Sequence, residues 1–219
     1  MRTDPELLNR YLKIRGTPDA NTWAKIRSVC ESMEETLSPG FIYRQFPLVD
    51  TQAGFRLGED GPLLTGKTAG RMLKGCRSAV VLIATLGFEF DKLLNTSQKR
   101  DMAEAVILDA CGSAYIEAVA DDAEERISTM TDGFLTDRFS PGYGDLPLSL
   151  QADMVRLTEA DKRLGIHVLS SDMLSPVKTI TAFTGIADTP RPAAIRGCEY
   201  CLLQDTCVYK KGNGICEAE

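Results

Sequence analysis

The chain has 219 residues, 43% of them hydrophobic, enough for one sizeable core or a core with a small appendage. Lys+Arg 25 against Asp+Glu 31 leave a net charge of -6, so nothing draws the molecule as a whole to phosphate backbones or anionic lipid, and nucleic acid is not the expected partner. The opening MRTDPELLNRYLKIRG is charged throughout, and no window holds about 18 uncharged apolar residues. A soluble, cytoplasmic protein without a membrane span is therefore expected.

Helical apolar spacing covers residues 4–14 and 19–37, the second with Ile26, Val29, Cys30, Met33 and Leu37 on one face and Pro39-Gly40 as its stop. FIYRQFPLV reads as a strand, and FRLGEDGPLLT as a hairpin around a Gly-Glu-Asp-Gly turn. A short helix follows from Lys67 to Lys74, with Thr65 as its N-cap and Gly75 ending it. SAVVLIATLG is a nearly unbroken β-branched run and the expected central strand, covered on both faces. From Ser97 to Met130 the pattern is one long, Ala-rich helix. A helix at 150–163 and two strands, IHVLS and PVKTITAFTGI, complete the main part. Strands mixed with helices of unequal length, without a βαβ rhythm, predict an α+β fold: a twisted, mainly antiparallel sheet with flanking helices. The expected division is an α+β domain over 1–190 and a Cys-rich tail over 191–219.

GPLLTGKT, residues 61–68, fits the P-loop pattern letter for letter, but its context does not. Pro62 lacks an N–H, Leu63 and Leu64 are strand-like, and the best hydrophobic strand ends without an Asp to help hold magnesium. The stretch is read as a hairpin-to-helix turn. His167, the only histidine, is expected as a packed or hydrogen-bonded core residue, and its solitude excludes His-rich metal sites. Cys30, Cys76 and Cys111 are expected as small core hydrophobes. Cys198, Cys201, Cys207 and Cys216 form a C-x2-C-x5-C-x8-C string whose thiolates can converge on an iron–sulfur cluster or on zinc, with reversible disulfides or free thiols as the other readings.

RFSPGYGDLPLSLQ, residues 138–151, places a guanidinium fork, a Pro-Gly turn and a tyrosine in close order. Such a set suits a ligand with a carboxylate and a base, and it equally suits a structural loop. RFSPGY, followed some thirty residues later by MLSPVKTITAFTGI and preceded by ILDACGSAYIEAVADDAEERI, resembles the activation domain of cobalamin-dependent methionine synthase, in which R-P-A-P-G-Y precedes a Met-x-Pro segment and a Ser/Thr-rich strand. The resemblance spans roughly residues 75–186.

It implies a shallow S-adenosylmethionine groove in which Arg138 pairs with the ligand's carboxylate while Ser140, Gly142 and the ring of Tyr143 line its adenosine end. It also implies reductive remethylation of cob(II)alamin. The family strand carries an aromatic pair near its end, whereas only Phe183 stands here, which puts a hydroxyl contact to adenine in doubt. With no D-x-H-x-x-G corrinoid motif, cobalamin has to come on a partner: a corrinoid-binding protein, or a methionine synthase lacking its own activation domain. A flavodoxin or ferredoxin is the kind of electron donor such chemistry uses. The alternative is a non-enzymatic corrinoid-protein-binding scaffold that has lost S-adenosylmethionine binding.

Overall fold

The computed structural model describes Leu8, Tyr11, Leu12 and residues 18–191. Most of the helix expected over 4–14, and all four cysteines of the terminal string, lie outside the described residues. The chain divides into two compact units. The first takes the described residues through Arg44, with Leu82–Met130 and Gln151–Thr181. The second takes Gln45–Val81, Thr131–Leu150 and the described residues from Ala182 on.

Helix α1 (Ala20–Thr36) begins where the Asp19 carboxylate accepts the Asn21 and Thr22 N–H groups at 2.9 and 3.0 Å, and it ends at Leu37 in extended backbone. Strands β1 (Gly40–Thr51), β2 (Gly54–Leu57) and β3 (Leu63–Leu64) form the expected hairpin ladder, with Val49 opposite Arg56 and Phe55 opposite Leu64. Helix α2 (Gly66–Leu73) leads to β4 (Cys76–Thr85), and α3 (Phe88–Arg100) and α4 (Met102–Met130) follow. The remaining elements are β5 (Phe134–Leu135), α5 (Leu150–Thr158), α6 (Ala160–Leu164), β6 (His167–Val168), β7 (Leu174–Ser175) and β8 (Thr179–Ala187). A six-stranded sheet runs β3-β2-β1-β4-β8-β5, and its β1–β2, β2–β3 and β5–β8 pairings are antiparallel. The fold is α+β, as the sequence predicts.

The single helix expected from Ser97 to Met130 is instead the last turn of α3, which already begins at Phe88, followed by α4. Asp101 breaks it: the residue is extended, with φ -149°, and its carboxylate caps Ala103 and Glu104 N–H at 2.9 and 3.3 Å. The cap opens a new helix. A second break falls at Glu159, whose left-handed φ of 55° splits the helix expected at 150–163 into α5 and α6. His167 is a further correction. It is exposed, because strand alternation gives the inward position to Ile166.

In the first unit, Ile26, Met33, Leu86, Phe90, Leu108, Cys111 and Ala114 form one core. Gly112 lets α3 approach α4: a Cβ there would stand 2.3 Å from the Phe90 ring. The Lys178 ammonium lies 5.7 Å over that ring, donates to Ser113 Oγ at 2.7 Å and pairs with Asp109 at 2.9 Å. In the second unit, Leu57, Leu64, Met72, Leu73, Phe183 and Ile186 are each 1% exposed or less.

Candidate functional site

The loop from Arg138 to Tyr143 hangs from the β5–β8 ladder of the second unit. Leu135 pairs with Ile186, and Phe139 with Phe183 in a bridge closed by reciprocal hydrogen bonds of 2.9 and 2.8 Å. Three residues separate the first pair from the second on one strand and only two on the other. Thr136 N–H donates to Gly185 O and Gly185 N–H to Thr136 Oγ1, both at 2.9 Å, so these two residues oppose one another. Asp137 and Arg138 together then face Thr184. This is a β-bulge, a device that bends a strand and re-aims its side chains. The Phe139 and Phe183 rings, 5.7 Å apart and tilted by 38°, close the far side of the bulge and contribute about 0.5–1.5 kcal/mol beyond their burial.

Arg138 is half-buried and already engages a neighbour within the protein. Beyond it the chain knots up. Tyr143 N–H donates to Ser140 O at 3.2 Å, Gly142 N–H to Leu146 O at 2.9 Å, and Leu146 N–H to Tyr143 O at 3.1 Å. Gly142 takes φ 88°, which an L side chain rarely adopts. Phe139, Pro141 and Leu146 anchor the knot by burial, while the Tyr143 ring stands 69% exposed. Because the Gly142 and Tyr143 N–H groups are spent inside the loop, what it offers a ligand is a ring and a guanidinium rather than a nest of amides.

Asp145 fixes this loop to α2. Its carboxylate accepts Lys67 N–H at 2.5 Å and Thr68 N–H at 3.0 Å, in the place where the Thr65 side chain was expected to cap. Thr65 occupies the N-cap position but makes no side-chain cap bond. The Thr68 hydroxyl first, then the two N–H groups, hold the Asp145 carboxyl at about 2, below its ordinary 3.8. Gly66 and Gly144 have to lack side chains, since a Cβ at either would meet the Asp145 carboxylate at 2.7 Å or Thr68 Oγ1 at 2.4 Å. The P-loop-like letters of GPLLTGKT therefore receive a carboxylate of the protein itself.

Sequence reasoning missed two residues of the bulge, Asp137 and Thr184. Thr184 is 2% exposed, and among the described residues its Oγ1 has no hydrogen-bond partner, an arrangement that costs roughly 1–3 kcal/mol. It directly follows Phe183, where the sequence put a hydroxyl contact in doubt. The strand pattern marks Thr184 as buried, and only the register shows it facing the bulge.

Two depressions of about 350 Å³ each lie in the first unit, one along Lys25, Ser32, Thr96 and Arg100, the other along Arg156, Glu159 and His167. Neither includes Arg138 or Tyr143. Among the described residues, no group of three His, Cys, Asp or Glu side chains is placed to hold a metal, and no helix is long and apolar enough to cross a membrane.

No protein-family model and no curated protein sequence matches the chain. Among solved structures, the crystal structure of the MetH reactivation domain bound to AdoHcy superposes with a TM-score of 0.64 at 15% sequence identity, over 84% of this chain and 74% of that one. The chain has the reactivation-domain fold. At that identity the likeness is one of architecture, and the reactivation-domain fold says nothing by itself about which side chains touch a ligand.

Proposed function

We propose that this chain is a free-standing activation module that binds S-adenosylmethionine and supports reductive remethylation of cob(II)alamin on a partner, either a cobalamin-dependent methionine synthase or another corrinoid methyltransferase. The observation that carries this reading is the bulge and the loop beyond it: the Arg138 guanidinium and the open Tyr143 ring stand on one short segment, and the buried Thr184 hydroxyl, without a hydrogen bond among the described residues, faces the bulge from β8 of a reactivation-domain fold. The solved domain of that fold has AdoHcy bound. Its demethylated ligand shares the carboxylate and adenosine that Arg138 and Tyr143 suit.

When bound, S-adenosylmethionine supplies an activated methyl group, which cobalt on the partner accepts together with an electron. The chain's own part is placement. Arg138 holds the ligand's carboxylate through a charged, forked pair of hydrogen bonds. Ser140 and Gly142 shape the turn against which the adenosine lies, and the Tyr143 ring offers it a flat apolar face. Thr184 gains the partner that its hydroxyl lacks among the described residues. Holding the methyl carrier in a fixed position is how such a protein accelerates a transfer that takes place on cofactors.

In this reading residues 1–190 make up the ligand-binding module, and Cys198, Cys201, Cys207 and Cys216 hold an iron–sulfur cluster or zinc in a separate tail, which iron, sulfide and zinc analysis of anaerobically purified protein tests. Titration calorimetry with S-adenosylhomocysteine tests the module. Saturable heat is expected, with affinity reduced about 30- to 160-fold in Arg138→Ala, equivalent to roughly 2–3 kcal/mol. A wild-type protein that gives no heat, yet still captures a corrinoid protein, rejects the module and leaves the scaffold.

A further inference from the structure

We infer that Cys30 and Cys111 form a dithiol site for two-electron oxidation by hydroperoxides, closing into a disulfide that ties α1 to α4. The two residues are 81 positions apart in the chain, yet their sulfurs lie 3.7 Å from each other. Neither is in a disulfide. Cys30 sits one turn from Ile26 and Met33, on the α1 face that enters the first unit's core, and Cys111 is fully buried among Leu108 and Ala114 on α4. Bonding requires the sulfurs to close to about 2.05 Å, a shift of under about 2 Å that side-chain rotation can supply between helices already in contact.

The two sulfurs differ in access, and that sets the order of events. Cys111 has no exposed surface, and the Cys30 thiol beside it, together with burial, pushes its own thiol far above the ordinary range. Cys30 is only partly buried and meets the oxidant first. Its sulfur attacks one peroxide oxygen, the O–O bond breaks, and Cys30 becomes a sulfenic acid with release of one water. The Cys111 sulfur then displaces the sulfenic hydroxyl, which leaves as water with the Cys111 proton. The sum is two thiols and one hydrogen peroxide giving one disulfide and two waters. Both sulfurs lose one electron each, and the peroxide takes them up. With its resolving partner at hand, Cys30 is spared further oxidation to a sulfinic acid. Cys76, the third described cysteine, belongs to the second unit and its thiol reaches a backbone carbonyl, Met72 O, at 3.6 Å.

The test treats full-length protein with limiting hydrogen peroxide, alkylates the remaining thiols under denaturing conditions and maps tryptic peptides by mass spectrometry. The expected product joins the peptide of residues 28–44 to that of 101–126 and is lost on dithiothreitol treatment. Cys30 and Cys111 leave the alkylated pool together, and the thermal midpoint of the oxidised protein rises and falls back on reduction. In Cys111→Ser, Cys30 is expected to proceed to sulfinic acid. The inference is overturned if wild-type Cys30 reaches sulfinic acid without the cross-link, if Cys30 joins a terminal cysteine instead, or if Cys76 reacts while this pair stays reduced.

Discussion

Two glycine-bearing turns of the second unit, Gly66-Lys67-Thr68 and Ser140-Pro141-Gly142-Tyr143, both look from sequence like places where a ligand could settle. They resolve in opposite ways. The first turns its N–H groups onto the Asp145 carboxylate, so its electrostatic demand is met from within. The second spends its N–H groups on its own carbonyls but leaves a 69% exposed ring at its tip, and among the described residues Thr184 Oγ1, across from the bulge that leads into it, has no partner. The lesson is that a motif's letters report a conformation, whereas the hydrogen bonds around it report whether its polar groups are already met. Here the first turn is the clamp and the second is the jaw.

Each side of that comparison can be broken separately. The largest effect is expected at Arg138, where Ala costs the binding described above and Lys, which keeps charge but not the fork, recovers only part of it by the same calorimetry. At the clamp, Asp145→Ala is expected to lower unfolding stability by about 1 kcal/mol, the usual worth of a helix cap, measured by urea denaturation. Because the folded carboxyl sits at about 2 against 3.8, this contribution is full above 3.8 and disappears as the pH falls through 2. A wild-type and Asp145→Ala difference that persists at pH 1.5 contradicts the cap.

At Thr184, valine separates the two roles a buried hydroxyl can have. Ligand affinity should fall by about 0.5–1.5 kcal/mol while the free protein is as stable as wild type or more so, since an unsatisfied group is removed. Loss of stability without loss of affinity would make Thr184 structural. The smallest effect belongs to Tyr143→Phe, which keeps the ring: stability within about 0.5 kcal/mol of wild type and affinity nearly unchanged, against a clear loss for Tyr143→Ala.

Much of this architecture is legible in the chain. The central strand, β1, the β2–β3 hairpin, α1 and the burial of Cys111 follow from alternation, helical spacing and caps acting over a few residues. What escapes is non-local or very short. Asp145 caps a helix whose first N–H groups lie 78 and 77 residues back, and no window of sequence links the two. β5 is two residues long and exists because β8 lies alongside it. Asp101 could have been found, since Asp followed three residues later by Glu is a helix-start signature, and the four residues before it, Ser97–Arg100, carry no apolar side chain. Arg138 and Tyr143 were visible as residue types. The bulge that mounts them was not, because an extra residue in one strand is defined only against its partner.

The open position of the Tyr143 ring bears on size. A cofactor as broad as a corrin, carried on another polypeptide, cannot thread into a deep hole and needs an approach from bulk solvent. In the proposed role, a ring at a loop tip, braced underneath by a helix cap, would let such a bulky visitor arrive and depart without any door having to swing.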